Sequence, residues 1–217
     1  MKRIHDTRER LLGVAFDLIW DSSYGSVSVD DICKGAGVNK GSLYHFFPTK
    51  ADLAIAAYRA RWEAVKPVYD RMFAVEIPPL DRIRAWCRHV NSVQREKAKE
   101  FGHVCGCPYA SMGAELATQD DRIRASSEKL IYSGRTYLRS AIADAIQAGA
   151  VTVHDAGMAA QRTYSMCLGM LFEAKVQNSL GVLRNLEPTI MEMLGATAEP
   201  PKAGRRMRRR QPITRTE

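Results

Sequence analysis

Apolar residues recur at helical spacing along nearly the whole chain. Leu11, Leu12, Ala15, Phe16 and Ile19 follow at steps of three and four, which puts them on one helix face. Asp6 or Thr7 is placed to cap that helix, and Asp21-Ser-Ser-Tyr-Gly25 ends it, with Gly25 suited to a positive φ. Ser28 reads as the N-cap of a short second helix over 29–35, with Asp30 and Asp31 in its first turn, where carboxylates favour the helix dipole. A tight turn at Ala36-Gly37-Val38 leads to a third short helix over 39–46. Pro48 breaks it, and Thr49 caps a fourth over 50–71, where Pro67 predicts a kink or an early stop. Pro78-Pro79 forms a linker, and Asp81 starts a helix reaching about residue 100. Gly102 and Gly106-Cys107-Pro108 punctuate the chain before a helix ending near 117. Asp120-Asp121 opens a long helix to about 149, and two more follow over 155–178 and 183–194. No alternating strand pattern of useful length occurs, so the expected fold class is all-α.

The 217 residues allow one or two modest domains with a real core. With 46% hydrophobic and 26% charged residues, the composition is that of a soluble globular protein and excludes disorder throughout. The net charge of +8 points to a polyanionic partner only if the charge is usefully placed. Residues 1–50 carry seven Lys/Arg against six Asp/Glu, and residues 51–198 carry 18 against 16. Residues 199–217 carry seven against two, a net of +5, so most of the excess lies in this tail. The tail holds Pro200-Pro201, Gly204 and the run from Arg205 to Arg210, and is expected to be disordered. It is either a non-specific arm for DNA phosphates or a solvated tail. Five cysteines cannot all pair, the N-terminus has no apolar signal segment, and the run Met166–Phe172 is far short of the ~20 residues of a membrane span. A cytoplasmic protein with reduced thiols and no membrane partner is expected.

Two short helices joined by a glycine-containing turn are a helix-turn-helix signature. Ala36 and Gly37 let the helices cross closely, Ile32 and Val38 plug the crossing from inside, and the second helix offers a small, mostly polar face to the major groove, ~12 Å wide. The stretch from Thr7 to about Tyr58, above all Ala36-Gly-Val-Asn-Lys-Gly-Ser-Leu-Tyr-His-Phe-Phe-Pro-Thr-Lys50, resembles the TetR family of bacterial transcriptional regulators. The resemblance implies an N-terminal three-helix DNA-binding domain over 1–50 and a larger helical ligand-binding and dimerisation domain over 51–198. It implies that Ser28 caps the second helix near a phosphate, that Tyr44 hydrogen-bonds a phosphate through its phenol, and that Lys50 pairs with another. Asn39, Lys40, Gly41, Ser42 and His45 lie at the start or on the face of the recognition helix. Lys40 can donate to guanine, Asn39 can pair with adenine, and Gly41 lets the backbone approach DNA. A packing role is the alternative for Tyr44, and a plain surface role for His45. Leu43, Phe46 and Phe47 read as core.

Any sensor has to lie in residues 80–195, where aromatic and Met side chains cluster. Trp86, Tyr109, Met112, Tyr137 and Tyr164 are candidates to line a pocket for an apolar or flat small-molecule effector, although an aromatic or Met at helical spacing, taken singly, is usually core. In His103-Val-Cys105-Gly-Cys107-Pro108, Cys107 lies near a helix start, where the dipole lowers a thiol pKa. That suits sensing of electrophiles or oxidants, with Cys105 as a resolving thiol. A soft-metal site has too few ligands at the wrong spacing, and burial at a tight turn is the third reading. Cys33, Cys87 and Cys167 fall in apolar helical patterns and read as packed.

The last two helices carry more apolar surface than one domain needs to close itself. Met166, Gly169, Met170, Leu183, Leu186 and Ile190 suggest an antiparallel pair that meets its twin in a homodimer. Two recognition helices would then read a palindromic operator, most simply as a repressor released by the effector. No nucleophile elbow, Walker loop, dinucleotide-binding glycine pattern or HExxH helix occurs, so no enzyme, cofactor or metal is expected.

Overall fold

The computed structural model describes residues 2–197, with side chains from Asp6 onward. Among these residues the chain is all-helical: α1 (Lys2–Asp21), α2 (Val29–Ala36), α3 (Lys40–Phe46), α4 (Lys50–Met72), α5 (Pro79–Phe101), α6 (Pro108–Leu116), α7 (Asp121–Gln147), α8 (Ala156–Val176) and α9 (Leu186–Leu194), the last preceded by a 3-10 turn at Val182–Asn185. None of these helices is long and apolar enough to cross a membrane. The basic segment 199–217 lies outside the described residues.

Several local expectations change. Helix α1 begins at Lys2, so Asp6 and Thr7 lie inside it and do not cap it. Gly25 does not adopt a positive φ, because the chain leaves α1 at Asp21 and the loop is held by hydrogen bonds instead. Helix α4 runs unbroken through Pro67 to Met72. The expected helix 183–194 is divided between the 3-10 turn and α9.

Two buried clusters organise the molecule. The first joins α1–α4: Leu11, Ala15, Ile32, Leu43, Leu53 and Tyr58 are almost wholly buried in it. Met112 and Leu116 of α6 and Ile123 and Leu130 of α7 also belong to it, so the core of the N-terminal unit is completed by helices from far along the chain. The second cluster packs α5, α7, α8 and α9 around Ile83, Cys87, Leu138, Ile142, Ala174 and Leu186.

Two glycines divide the work at the short helix pair. Gly37 holds φ +62° as the C-cap of α2, and a Cβ there would meet no neighbour within 4 Å, so its role is conformational. Close approach is achieved two residues earlier. A Cβ on Gly35 would lie 2.7 Å from Cγ1 of Val14, so α2 rests directly on α1 there.

Candidate functional site

The helix-turn-helix is fixed by paired caps. The Ser28 hydroxyl accepts the Asp31 N–H at 3.1 Å, and the Asp31 carboxylate accepts the Ser28 N–H at 2.8 Å. Hydrogen bonding from Ser28 holds the Asp31 carboxyl below its usual range. Asn39 caps α3 by accepting the Ser42 N–H at 2.8 Å, so its carboxamide oxygen is occupied in the free protein. Lys40 forms an exposed ion pair with Asp30 at 2.9 Å. Leu43 and Phe47 are buried against the core, while Tyr44 and His45 face outward, Tyr44 with 48% of its surface accessible. Exposure at that level removes the packing role for Tyr44. Gly41 is exposed on the same helix.

Lys50 is held more closely than the sequence suggests. Its ammonium donates to the Tyr24 carbonyl and lies 4.1 Å from the Tyr24 ring centroid. Burial lowers its pKa from the ordinary lysine value. A DNA phosphate would have to share or replace the Tyr24 carbonyl.

The loop before α2 is tied to α6. The Glu115 carboxylate, near the end of α6, accepts the N–H groups of Tyr24 and Gly25 at 3.0 and 2.6 Å. The segment before α6 is tied to α1 and α5. The Gly106 carbonyl accepts both Trp20 Nε1 and Gln94 Nε2 at 3.0 Å, and the Gly106 N–H donates to Gln94 Oε1 at 3.0 Å. Gly106 takes φ +73°, and a Cβ there would press on the Leu171 carbonyl of α8 at 3.3 Å. His103 Nε2 lies 2.9 Å from the Asp21 carbonyl, and Asn178 accepts the Val104 N–H at 2.9 Å.

A cavity of about 140 Å³ lies between α1, α4, α5 and α8, closed at one side by the start of α6. Trp86, Cys107, Tyr109 and Tyr164 line it. Three other candidates do not. Met112 points into the first core cluster, Cys105 is fully buried there with its thiol donating to the His103 carbonyl at 3.6 Å, and the Tyr137 hydroxyl is drawn away to Asp70. Arg61, Trp62, Tyr69 and His89 also line it, among further apolar side chains, and the sequence reading missed them. Arg61, Trp62 and Tyr69 sit on α4, which the capping pattern shows only as the helix after the DNA-binding unit. The spacing 62, 65, 69 was the available signal.

The thiol chemistry runs opposite to expectation. Cys107 is the N-cap residue of α6, and the Tyr109 and Ala110 N–H groups favour its thiolate, but burial outweighs them and pushes the pKa up. Its partial exposure opens into the cavity, where surrounding protein still desolvates it. Burial also raises the Cys105 thiol. Cys33, Cys87 and Cys167 are buried as their periodicity predicts, and burial pushes Cys87 up to about 12. Among the described residues no three His, Cys, Asp or Glu side chains converge as a metal site.

Residues 11–57 match the family of bacterial regulatory proteins called tetR, and residues 79–187 match the tetracyclin repressor-like C-terminal domain. The chain belongs to the TetR family. It is a DNA-binding transcriptional regulator by family and not an enzyme. The HTH-type transcriptional repressor NemR of Escherichia coli K12 is 24% identical over 89% of this chain and 96% of its own length. The transcriptional regulator AcuR of Cereibacter sphaeroides is 31% identical over 54% of this chain, a match that spans about half of AcuR, 52%. The crystal structure of E. coli NemR in its reduced form superposes with a TM-score of 0.78 at 24% identity, covering 89% of this chain and 100% of that one. A regulatory protein TetR from Rhodobacter sphaeroides superposes at 0.76 with 25% identity, over 85% and 97%. The TetR-family fold therefore extends through both buried clusters.

Outside the cavity this TetR-family chain exposes an apolar stripe on α8. Met158, Met166, Phe172 and Val176 of α8 are exposed, Phe172 by 71% and Val176 by 69%. Gly169 lies between them with no atom within 4 Å of a Cβ placed on it.

Proposed function

We propose that the protein is a homodimeric, cytoplasmic repressor that binds palindromic operator DNA and is released when a small molecule enters the cavity. In this reading 1–50 reads DNA, 51–198 binds the effector and dimerises, and 199–217 is a basic tail. Ser28, Tyr44 and Lys50 meet phosphates. Asn39, Lys40, Gly41, Ser42 and His45 present the face toward the bases. The α8 stripe around Gly169 covers its twin.

One observation carries the reading: helix α6 touches both sites. Cys107 at its start lines the cavity, and Glu115 near its end holds the loop that leads into α2. A ligand that displaces the start of α6 strains the Glu115 contacts and shifts the DNA-binding unit. A coupling of about 1–3 kcal/mol gives substantial release. Retention of promoter DNA in gel-shift assays tests this. Sequence-specific retention of a palindromic fragment supports the reading, and equal retention of unrelated DNA overturns it.

A second reading places the signal on the Cys107 thiol, which faces the cavity with two N–H groups at hand to stabilise a thiolate. An electrophile or oxidant small enough to enter would modify it. Cys107→Ser that responds like the parent protein ends this reading.

A further inference from the structure

We infer that the cavity takes a compact planar anion of about one aromatic ring, with its charged end at Arg61. This rests on the effector reading above and specifies the chemistry of that site.

Size comes first. A protein cavity of roughly 150 Å³ lined by apolar groups holds a benzene molecule. The cavity here offers about 140 Å³, which is room for one ring. Shape follows from the walls. Trp62, Tyr69, Trp86, Tyr109 and Tyr164 surround the space with flat faces and edges. Aromatic rings pack best against a flat partner in stacked or edge-on arrangements.

Charge is set by an imbalance in the wall. Among the described lining residues there is no Asp or Glu. The wall instead carries the Arg61 guanidinium, the His89 imidazole and the Tyr69 and Tyr109 phenols. Arg61 is exposed, leans over the Phe16 ring at 5.5 Å, and has no carboxylate within ion-pair distance among the described residues. Its five donors are therefore available to a ligand. Burial raises both phenols above and lowers the imidazole below their ordinary values, which favours the uncharged forms, so the phenols can donate and His89 can donate from one nitrogen. The Gln94 carboxamide is already committed to both polar groups of Gly106 and offers little to a ligand. A cation entering this wall meets like charge at Arg61 and no counter-ion. A planar anion finds a forked partner at the mouth and rings behind it.

The test uses three probes with one ring and different charge: benzoate, benzyl alcohol and benzylammonium. Binding to the full-length protein is followed by calorimetry and by the rise in melting temperature. Benzoate is expected to bind saturably, benzyl alcohol about tenfold more weakly, and benzylammonium not at all at the same concentrations. Arg61→Gln should weaken benzoate roughly tenfold, equivalent to about 1.4 kcal/mol, while leaving benzyl alcohol unchanged. Arg61→Lys should restore part of the benzoate affinity. Benzylammonium binding as tightly as benzoate, no effect of Arg61→Gln on benzoate, or no binding of any probe overturns the anion assignment. Operator retention is measured alongside. Benzoate that saturates the protein without releasing DNA leaves the ligand class standing and overturns the effector reading.

Discussion

Glu115 accepts the backbone N–H of Tyr24 at 3.0 Å across 91 positions of sequence, and it also accepts the Gly25 N–H. A carboxylate on α6 thus holds the loop that feeds the first helix of the DNA-binding pair. Tyr24 in turn presents its carbonyl to Lys50. Glu115→Ala leaves both N–H groups to water and should cost about 1–2 kcal/mol, since the site is only half-buried. Urea denaturation measures that loss. DNA retention should fall roughly tenfold, and Glu115→Gln, which keeps an acceptor oxygen, should recover much of it.

Gly35 of α2 and Gly13 of α1 behave differently when given a side chain. Gly35→Ala drives a methyl into Val14 and should destabilise by about 1–3 kcal/mol. Adding Val14→Ala should relieve most of this. Gly13→Ala, in the middle of α1 with nothing within 4 Å, should stabilise by roughly 0.5–1 kcal/mol. Thermal unfolding of the three variants separates the effects, and equal behaviour at 13 and 35 contradicts the close α1–α2 contact.

Tyr44 is exposed in the free protein, so Tyr44→Phe should leave the melting temperature unchanged. It should weaken operator binding roughly three- to tenfold through loss of one hydrogen bond. Loss of a hydroxyl hydrogen bond releases no counterion, so the salt dependence of binding should stay the same. Lys40→Gln should instead lower the salt slope by about 1 if Lys40 leaves Asp30 for a phosphate, and leave it unaltered if Lys40 donates to a base edge.

The pH dependence of stability should carry a contribution from His89. Burial lowers its pKa in the folded protein below the ordinary value of 6.5. The unfolded chain therefore takes up the proton first as pH falls. The contribution is complete above about pH 6.5 and is lost between that value and the lower folded pKa. The drop in melting temperature between pH 7.5 and 5.5 should be smaller in His89→Gln, and an identical drop shows that His89 is not the titrating group.

Phe172→Glu with Val176→Glu puts charge into the exposed stripe of α8. Sedimentation should show a folded monomer, with operator affinity reduced by a factor of about 100 or more, because each protomer then reads a half-site by itself. An unchanged dimer places the interface elsewhere.

Much of the local structure was legible in the sequence because its causes are local. The caps Ser28 and Thr49 each bond the N–H of the third residue on, and the apolar spacing places Cys33, Cys87 and Cys167 inside. Together these determined the all-helical fold, the helix-turn-helix and the exposed face of α3. Tertiary structure decided what depends on distant helices meeting. Arg61 and His89 reach one cavity only because α4 and α5 cross beside α8, while Tyr137 is pulled from it by Asp70 and Met112 by the first core. The sign of the Cys107 shift follows the same division. Its helix start is a local fact that lowers the pKa, but desolvation by the surrounding helices is larger and raises it.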